Sequence, residues 1–300
     1  MNAIEIRGLK KSFRGLHAVD GLDMTVPTGA IYGFIGENGS GKSTTEKLIC
    51  GHLVPSSGEI RLFGKKYTDA GVRARVGALI ENTGCFPNST VYQNLMMQAI
   101  NLNLHQPDAE IRRVLKIVRM DDHAELKFKK CSLGMKQRIG IAMALLGDPA
   151  LLILDEPING LDTDGMRLMR EILVDITRNN GCTVLISSHI LGELEKIATH
   201  YGIIRQGKMV QELTAREMES RSRTFTSLKT ADMAEARQIL AQRFPVVREE
   251  DGFLRVYDVQ NPEQIVDVLM KNGHVVCEIR KRHIGLEEYY IELMSKKEGA

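Results

Sequence analysis

Along the first thirty residues apolar and polar positions alternate, through Ile4-Glu5-Ile6-Arg7-Gly8-Leu9 and again through Leu22-Asp23-Met24-Thr25-Val26-Pro27. That period of two predicts two short strands with a turn between them. Ala30 to Ile35 is an apolar run suited to a strand buried on both faces, and Ser43 to Cys50 reads as a helix behind it. From Ser89 to Lys130 the pattern turns helical, in VYQNLMMQAINLNL and AEIRRVLKIVRM, and it is helical again from Lys136 to Leu146. Short apolar strands at Ala150 to Asp155 and Thr183 to Ser187 then alternate with helical stretches at Met166 to Asn179 and Leu191 to Thr199. Strands alternating with helices argue for a mainly parallel sheet covered on both faces. The run after Ser89 reads as a helical subdomain inserted into that α/β core, over about residues 88–145. Composition shifts near Glu219-Ser220-Arg221-Ser222-Arg223, which puts a domain boundary there. Residues 1–220 form the larger domain. Residues 221–300 form a small C-terminal α/β domain, built from FTSLKT, AEARQILAQR, FLRVYDV, PEQIVDVLM and VVCEIRK and closed by a helix over Leu286 to Met294.

Composition narrows the function classes. The chain has 300 residues, 43% hydrophobic and 26% charged, which reads as an ordinary globular protein. A formal net charge of +2 supplies no field that argues for nucleic acid or an anionic membrane, and the absence of tryptophan weakens any base-stacking reading. Cys50, Cys85, Cys131, Cys182 and Cys277 are scattered and odd in number, so reduced thiols in the cytoplasm are expected rather than a disulfide frame or a zinc site. The start, MNAIEIRGLK, lacks the apolar core of a signal peptide. The most apolar region, Ile139 to Leu154, is broken by Gly147, Asp148 and Pro149 and does not suit a membrane span.

Three motifs carry chemistry. Gly36 to Thr45 reads GENGSGKSTT and holds the spacing G-x-x-x-x-G-K-S between a strand and a helix. Glycines at Gly36, Gly39 and Gly41 let the backbone wrap phosphate oxygens, with Asn38 and Thr44 in the same loop. Lys42 suits the β and γ phosphates and Ser43 suits magnesium. The second motif, LLILDE, ends a buried strand in two carboxylates, Asp155 placed to hold metal and Glu156 to polarise a water. The third, CSLGMKQR, places Ser132 and Gly134 at a helix N-terminus, where bare amides and the helix dipole attract anions. Taken singly, Ser132 reads rather as a plain helix cap.

The order GENGSGKST, SLGMKQR, LLILDEP, NGLD and SSH resembles the ATP-binding subunit of an ABC transporter, over roughly residues 1–220. The resemblance implies an α/β P-loop core, with a mainly parallel sheet, an antiparallel β edge and the inserted helical subdomain. It implies ATP and Mg2+ as cofactors. Phe13 matches the aromatic that stacks on adenine, Gly36 to Thr44 the Walker A loop, Asp155 the Walker B aspartate and Glu156 the catalytic glutamate. Asp162 matches the D-loop aspartate and His189 the switch histidine. Singly, Phe13 reads as a core aromatic, Asp162 as a turn residue or cap, and His189 as structural; the order and separation of the motifs favour function.

Three departures from the commonest family pattern stand out. Cys131, Leu133 and Met135 alter the signature but leave Ser132 and Gly134; Ile158 stands where threonine is common. Glu81 occupies the Q-loop glutamine position and would present a carboxylate to the metal. That exchange reads either as one oxygen ligand for another or as a changed link between nucleotide and the following loop. The Q-loop glutamate, SLGMKQR and the final helix are also similar to the ABC proteins that protect bacteria from bacitracin or lantibiotics. The resemblance implies a homodimer in which Ser132 and Gly134 cover the partner's ATP. It also implies separately encoded permease subunits that supply the only attachment to the membrane, on its cytoplasmic face, with the loop Asn82 to Pro87 facing them. An exporter for another drug, lipid or ion, or a non-transport ABC ATPase, is the alternative function.

Overall fold

The apolar run Ile31–Ile35 is buried at every residue and forms the strand around which the larger part of the chain is organised. The computed structural model describes residues 1–221, 224–244, 246–250, 252–257, 259, 261–283 and 285–295. Ser222 and Arg223, in the expected boundary, and Asp258, in FLRVYDV, lie outside the described residues. Backbone contacts divide the chain into two units, Met1–Ala215 and Arg216–Ala300.

In chain order the first unit runs β1 (Asn2–Phe13), β2 (Leu16–Pro27), β3 (Ile31–Ile35), α1 (Lys42–Ile49), β4 (Ser57–Leu62), β5 (Lys65–Lys66), α2 (Ala70–Arg73) and β6 (Val76–Leu79). It continues through α3 (Val91–Asn101), α4 (Pro107–Ile117), α5 (Leu133–Leu145), β7 (Leu151–Asp155), α6 (Thr163–Asn180), β8 (Thr183–Ser188), α7 (Leu191–Leu194), β9 (His200–Arg205) and β10 (Lys208–Thr214). The division between units falls at the start of α8 (Ala215–Arg221).

Two sheets result. The main one has the order β10-β9-β3-β8-β7-β6 and is parallel except for β10, its antiparallel edge. The alternating N-terminal strands make a second, wholly antiparallel sheet, β2-β1-β4-β5. Here β1 and β2 are not short: each has twelve residues, and register shifts along their ladder bend the pair. The inward residues of that sheet, among them Ile4, Ile6, Leu22 and Met24, share one core with Leu48 and Ile49 of α1 and with Tyr32 and Phe34 of β3. The helical insertion is α3 to α5. Thr90 and Gln93 close a reciprocal capping box at the head of α3, and Pro107 starts α4. Helix α5 sits tightly on β6, because a Cβ at Gly77 would lie 1.9 Å from the Ala144 carbonyl oxygen. Helix α7 is shorter than its apolar pattern suggests, a single turn.

The second unit adds β11 (Thr224–Thr230), α9 (Met233–Ala241), β12 (Val247–Glu250), β13 (Phe253–Tyr257), α10 (Glu263–Lys271), β14 (Val276–His283) and α11 (Leu286–Ser295). Its sheet is antiparallel in the order β12-β13-β11-β14. A βαββαβ chain in that order is the split-βαβ, ferredoxin-like arrangement. Leu228, Leu254 and Val256 pack with Ala236 and Leu240 of α9 and with Ile265 and Leu269 of α10. Among the described residues no helix is long and apolar enough to cross a membrane.

One residue of α1 breaks the apolar core. Glu46 is fully buried, and neither carboxyl oxygen has a hydrogen-bond partner. Burial, reinforced by the Asp155 charge, pushes its carboxyl up to about 8 from an ordinary value of 4.5. The folded chain therefore holds a proton that the unfolded chain gives up between those values, so stability falls as pH rises through that window. Wild type should lose stability relative to Glu46→Gln from about pH 5 to about pH 8, by at most ~1.4 kcal/mol per pH unit, and the gap should then level off. Urea unfolding of both proteins at stepped pH checks this; parallel curves would mean Glu46 is not buried neutral.

Candidate functional site

Parallel strands end on the same edge of a sheet, and here four ends converge: β3 at Ile35, β6 at Leu79, β7 at Asp155 and β8 at Ser188. The loop Gly36–Gly41 leaves β3 and folds back on itself. Lys42 is buried and its Nζ donates to the carbonyl oxygens of Gly36, at 2.6 Å, and Glu37, at 3.1 Å. Two glycines make the curl possible. A Cβ at Gly36 would lie 2.5 Å from both the Ile204 carbonyl oxygen and Ser40 Oγ, and Gly41 has φ +109° with only 2.5 Å to the Ala18 carbonyl oxygen. Gly41 caps α1 without any side-chain hydrogen bond, so the first amides of the helix are left for an anion.

A cavity of about 550 Å³ opens over this loop. Asn38, Gly39, Gly41, Lys42, Ser43 and Thr44 form its floor, Asp155 and Glu156 one wall, and Phe13, His17 and Gln206 the rim. Phe13 is 41% exposed at the end of β1, with Lys11 Nζ 4.9 Å from its ring centre. Gly36 lies beneath the floor, bonded to Lys42. Ser43 Oγ donates to Asp155 Oδ2 at 3.1 Å, so a hydroxyl and a carboxylate from two elements already stand side by side. Hard oxygen donors of this kind fit Mg2+. Among the described residues no group of three His, Cys, Asp or Glu side chains could hold a metal, so phosphate oxygens and water would supply most of the remaining ligands.

Ser187 organises the carboxylates. Its hydroxyl donates to Asp155 Oδ1 at 2.7 Å and accepts from the Glu156 amide at 3.2 Å, while the Ser187 carbonyl oxygen accepts from that same amide at 3.1 Å. Glu156 turns off the strand with φ +49°, a left-handed conformation that strains a non-glycine residue. Its Oε2 lies 2.9 Å from His189 Nδ1 and accepts from the His189 amide at 3.4 Å. A carboxylate oxygen accepts, so in this contact the imidazole donates from Nδ1.

Other candidate residues lie elsewhere. Ser132, Gly134 and Asp162 line a separate cavity of about 560 Å³ that shares no residue with the first. Ser132 and Asp162 also cap helices: Ser132 Oγ accepts from the Met135 amide at 3.2 Å, and Asp162 Oδ1 from the Gly165 amide at 2.8 Å. Glu81 has φ +65° and its Oε1 lies 2.5 Å from Lys47 Nζ, so it pairs there instead of joining Ser43 and Asp155. Sequence reasoning gave no role to Ser187 or Lys47. The only signal for Ser187 was its place two residues before His189; Lys47 gave none.

The ABC transporter family model matches residues 19–159. The chain is 36% identical over 297 residues to the bacitracin transport ATP-binding protein BcrA of Bacillus licheniformis, covering 97% of each chain. It is 38% identical over 209 residues to the lantibiotic transport ATP-binding protein SrtF of Streptococcus pyogenes, covering 70% of this chain and 90% of that one. Among solved structures, cbiO1 of Clostridium perfringens, part of the ABC transporter complex cbiONQ, superposes with a TM-score of 0.67 at 26% identity, covering 81% of this chain and 96% of that one. With the phosphate loop and the paired carboxylates in place and a full-length match to such relatives, the chain belongs to the ATP-binding proteins of ABC transporters.

Proposed function

We propose that this chain binds ATP with Mg2+ in the loop of Gly36 to Thr44, hydrolyses it, and so powers a separately encoded membrane permease that exports bacitracin- or lantibiotic-type peptides. The observation that carries the reading is the hydrogen-bonded row Ser43–Asp155–Ser187–Glu156–His189 beside an uncapped helix start. Phe13 offers its exposed face to adenine. Lys42 and the α1 amides neutralise the β and γ phosphates. Ser43 and Asp155 would hold the metal, with Glu81 as a further ligand. Mg2+ held there would supply positive charge that offsets the charge of the phosphates. Glu156 accepts the proton of the water that attacks the γ phosphorus, ADP departs with the bridging oxygen, and His189 orients Glu156 and meets the γ phosphate.

Ser132 and Gly134 line a cavity apart from the phosphate loop, which supports a role toward ATP held by a second copy of the chain, with Asp162 beside them. One set of motifs per chain makes a homodimer the simplest way to complete two such sites. No described helix can span a bilayer, so the permease would carry the transport path and hold this chain at the cytoplasmic face. The names of the relatives support the peptide class, and the similarity to BcrA runs the length of both chains. Residues 221–300 act as an accessory domain to the ATPase at 1–220.

The catalytic assignment predicts that Glu156→Gln lowers steady-state ATP hydrolysis by ~10²-fold or more while ATP binding persists. Hydrolysis within a few fold of wild type would remove Glu156 from the role of base. The transport assignment predicts that sensitive bacteria expressing this chain with its permease grow in bacitracin or a lantibiotic, and that equal expression of Glu156→Gln gives no protection. Growth inhibition across a peptide panel measures this; failure of wild type against every peptide would leave the ATPase reading and reject the peptide class.

A further inference from the structure

Glu81 places a carboxylate where a neutral amide is usual, and its partner lies on the phosphate-binding helix. Lys47 stands four residues after Ser43, so the two side chains share one face of α1, a single turn apart. One turn is about 5.4 Å. Glu81 Oε1 meets Lys47 Nζ at 2.5 Å, and among the described residues no other carboxylate lies within ion-pair distance of Lys47. The pair is partly open to water, with side-chain exposures of 30% for Lys47 and 59% for Glu81, so it is weak enough to be exchanged. The left-handed backbone at Glu81 lies one residue past Ile80, which follows the end of β6. The carboxylate is thereby held by a lysine of the last turn of α1, while Ser43 and Asp155 keep each other at the first turn.

We propose that Lys47 is a positioning residue for Glu81: it neutralises the extra carboxylate and keeps it paired on α1, and Mg2+ bound with ATP competes with Lys47 for it. The inference rests on Glu81 being a metal ligand, as proposed above. Its chemistry is an exchange of ionic partners, with no covalent bond made or broken. A carboxylate held by Lys47 is unavailable to metal, so the affinity for Mg2+ falls by the fraction so held. A glutamine at position 81 would form no ion pair, and Lys47 would then have nothing to hold.

A double-mutant cycle tests this. The readout is the half-saturating Mg2+ concentration for binding a fluorescent, non-hydrolysable ATP analogue to full-length wild type, Lys47→Gln, Glu81→Gln and the double variant. Circular dichroism and thermal unfolding confirm that each is folded. Lys47→Gln should lower the half-saturating Mg2+ about threefold more with Glu81 present than in the Glu81→Gln background, and Lys47→Arg should keep the wild-type value. Equal factors in the two backgrounds would overturn the proposal while leaving Glu81 as a ligand. No change on Glu81→Gln with either residue at position 47 would remove Glu81 from the metal site, and the proposal with it.

Discussion

The site depends on the parallel register of four strands. Ile35 pairs with Ser188, Asp155 with Ser187 and Leu79 with Leu154, so the strands end level with one another. The Gly36–Gly41 loop follows β3, the carboxylates stand at β7, and Ser187 and His189 come from the end of β8, while Glu81 after β6 pairs with Lys47. A crevice at the carboxyl ends of an open parallel sheet is where such folds bind ligands. The central strands β3, β7 and β8 are buried along almost their whole length, which fixes these ends within the core.

Like charges are kept apart by backbone geometry. Asp155 and Glu156 are adjacent in sequence, yet the strained turn at Glu156 sends one carboxyl to Ser43 and Ser187 and the other to His189. Such a backbone costs ~1–3 kcal/mol and persists because the amide and the carboxylate of Glu156 are both held by hydrogen bonds. Glu46 lies near them without a partner and stays neutral, since burial disfavours its charge and a third ionised carboxylate there would be repelled by Asp155 and Glu156. Lys42 meets the loop carbonyls, and Lys47, five residues on, meets Glu81, so each lysine of α1 serves a different loop.

Features with a local cause were legible in the sequence. The curl of Gly36 to Gly41 requires glycine, the helix behind it follows at once, and the apolar strand before Asp155 can be read from five consecutive residues. Strand order was less legible. Short β4, β5 and β6 carry too few residues for a clear period, and β1 and β2 pair over twice the length of a typical strand because their bulges sit inside the alternation. The second unit was readable as strands and helices, but its antiparallel order is fixed by pairings between distant segments, such as Leu228 with Ile279. The same reason hid two polar partners. Ser187 reaches Asp155 across 32 residues and Lys47 reaches Glu81 across 34, and no spacing rule announces either.

The central claim is that the loop of Gly36 to Thr44 holds ATP while Ser132 and Gly134 serve the ATP of a second copy. A crystal structure of Glu156→Gln grown with ATP and Mg2+ tests it directly. The account predicts phosphates against Lys42 and the α1 amides, adenine against Phe13, and the γ phosphate within hydrogen-bond reach of Ser132 from the other copy. ATP bound outside that loop, or bound within it while Ser132 of every copy faces solvent, would contradict it.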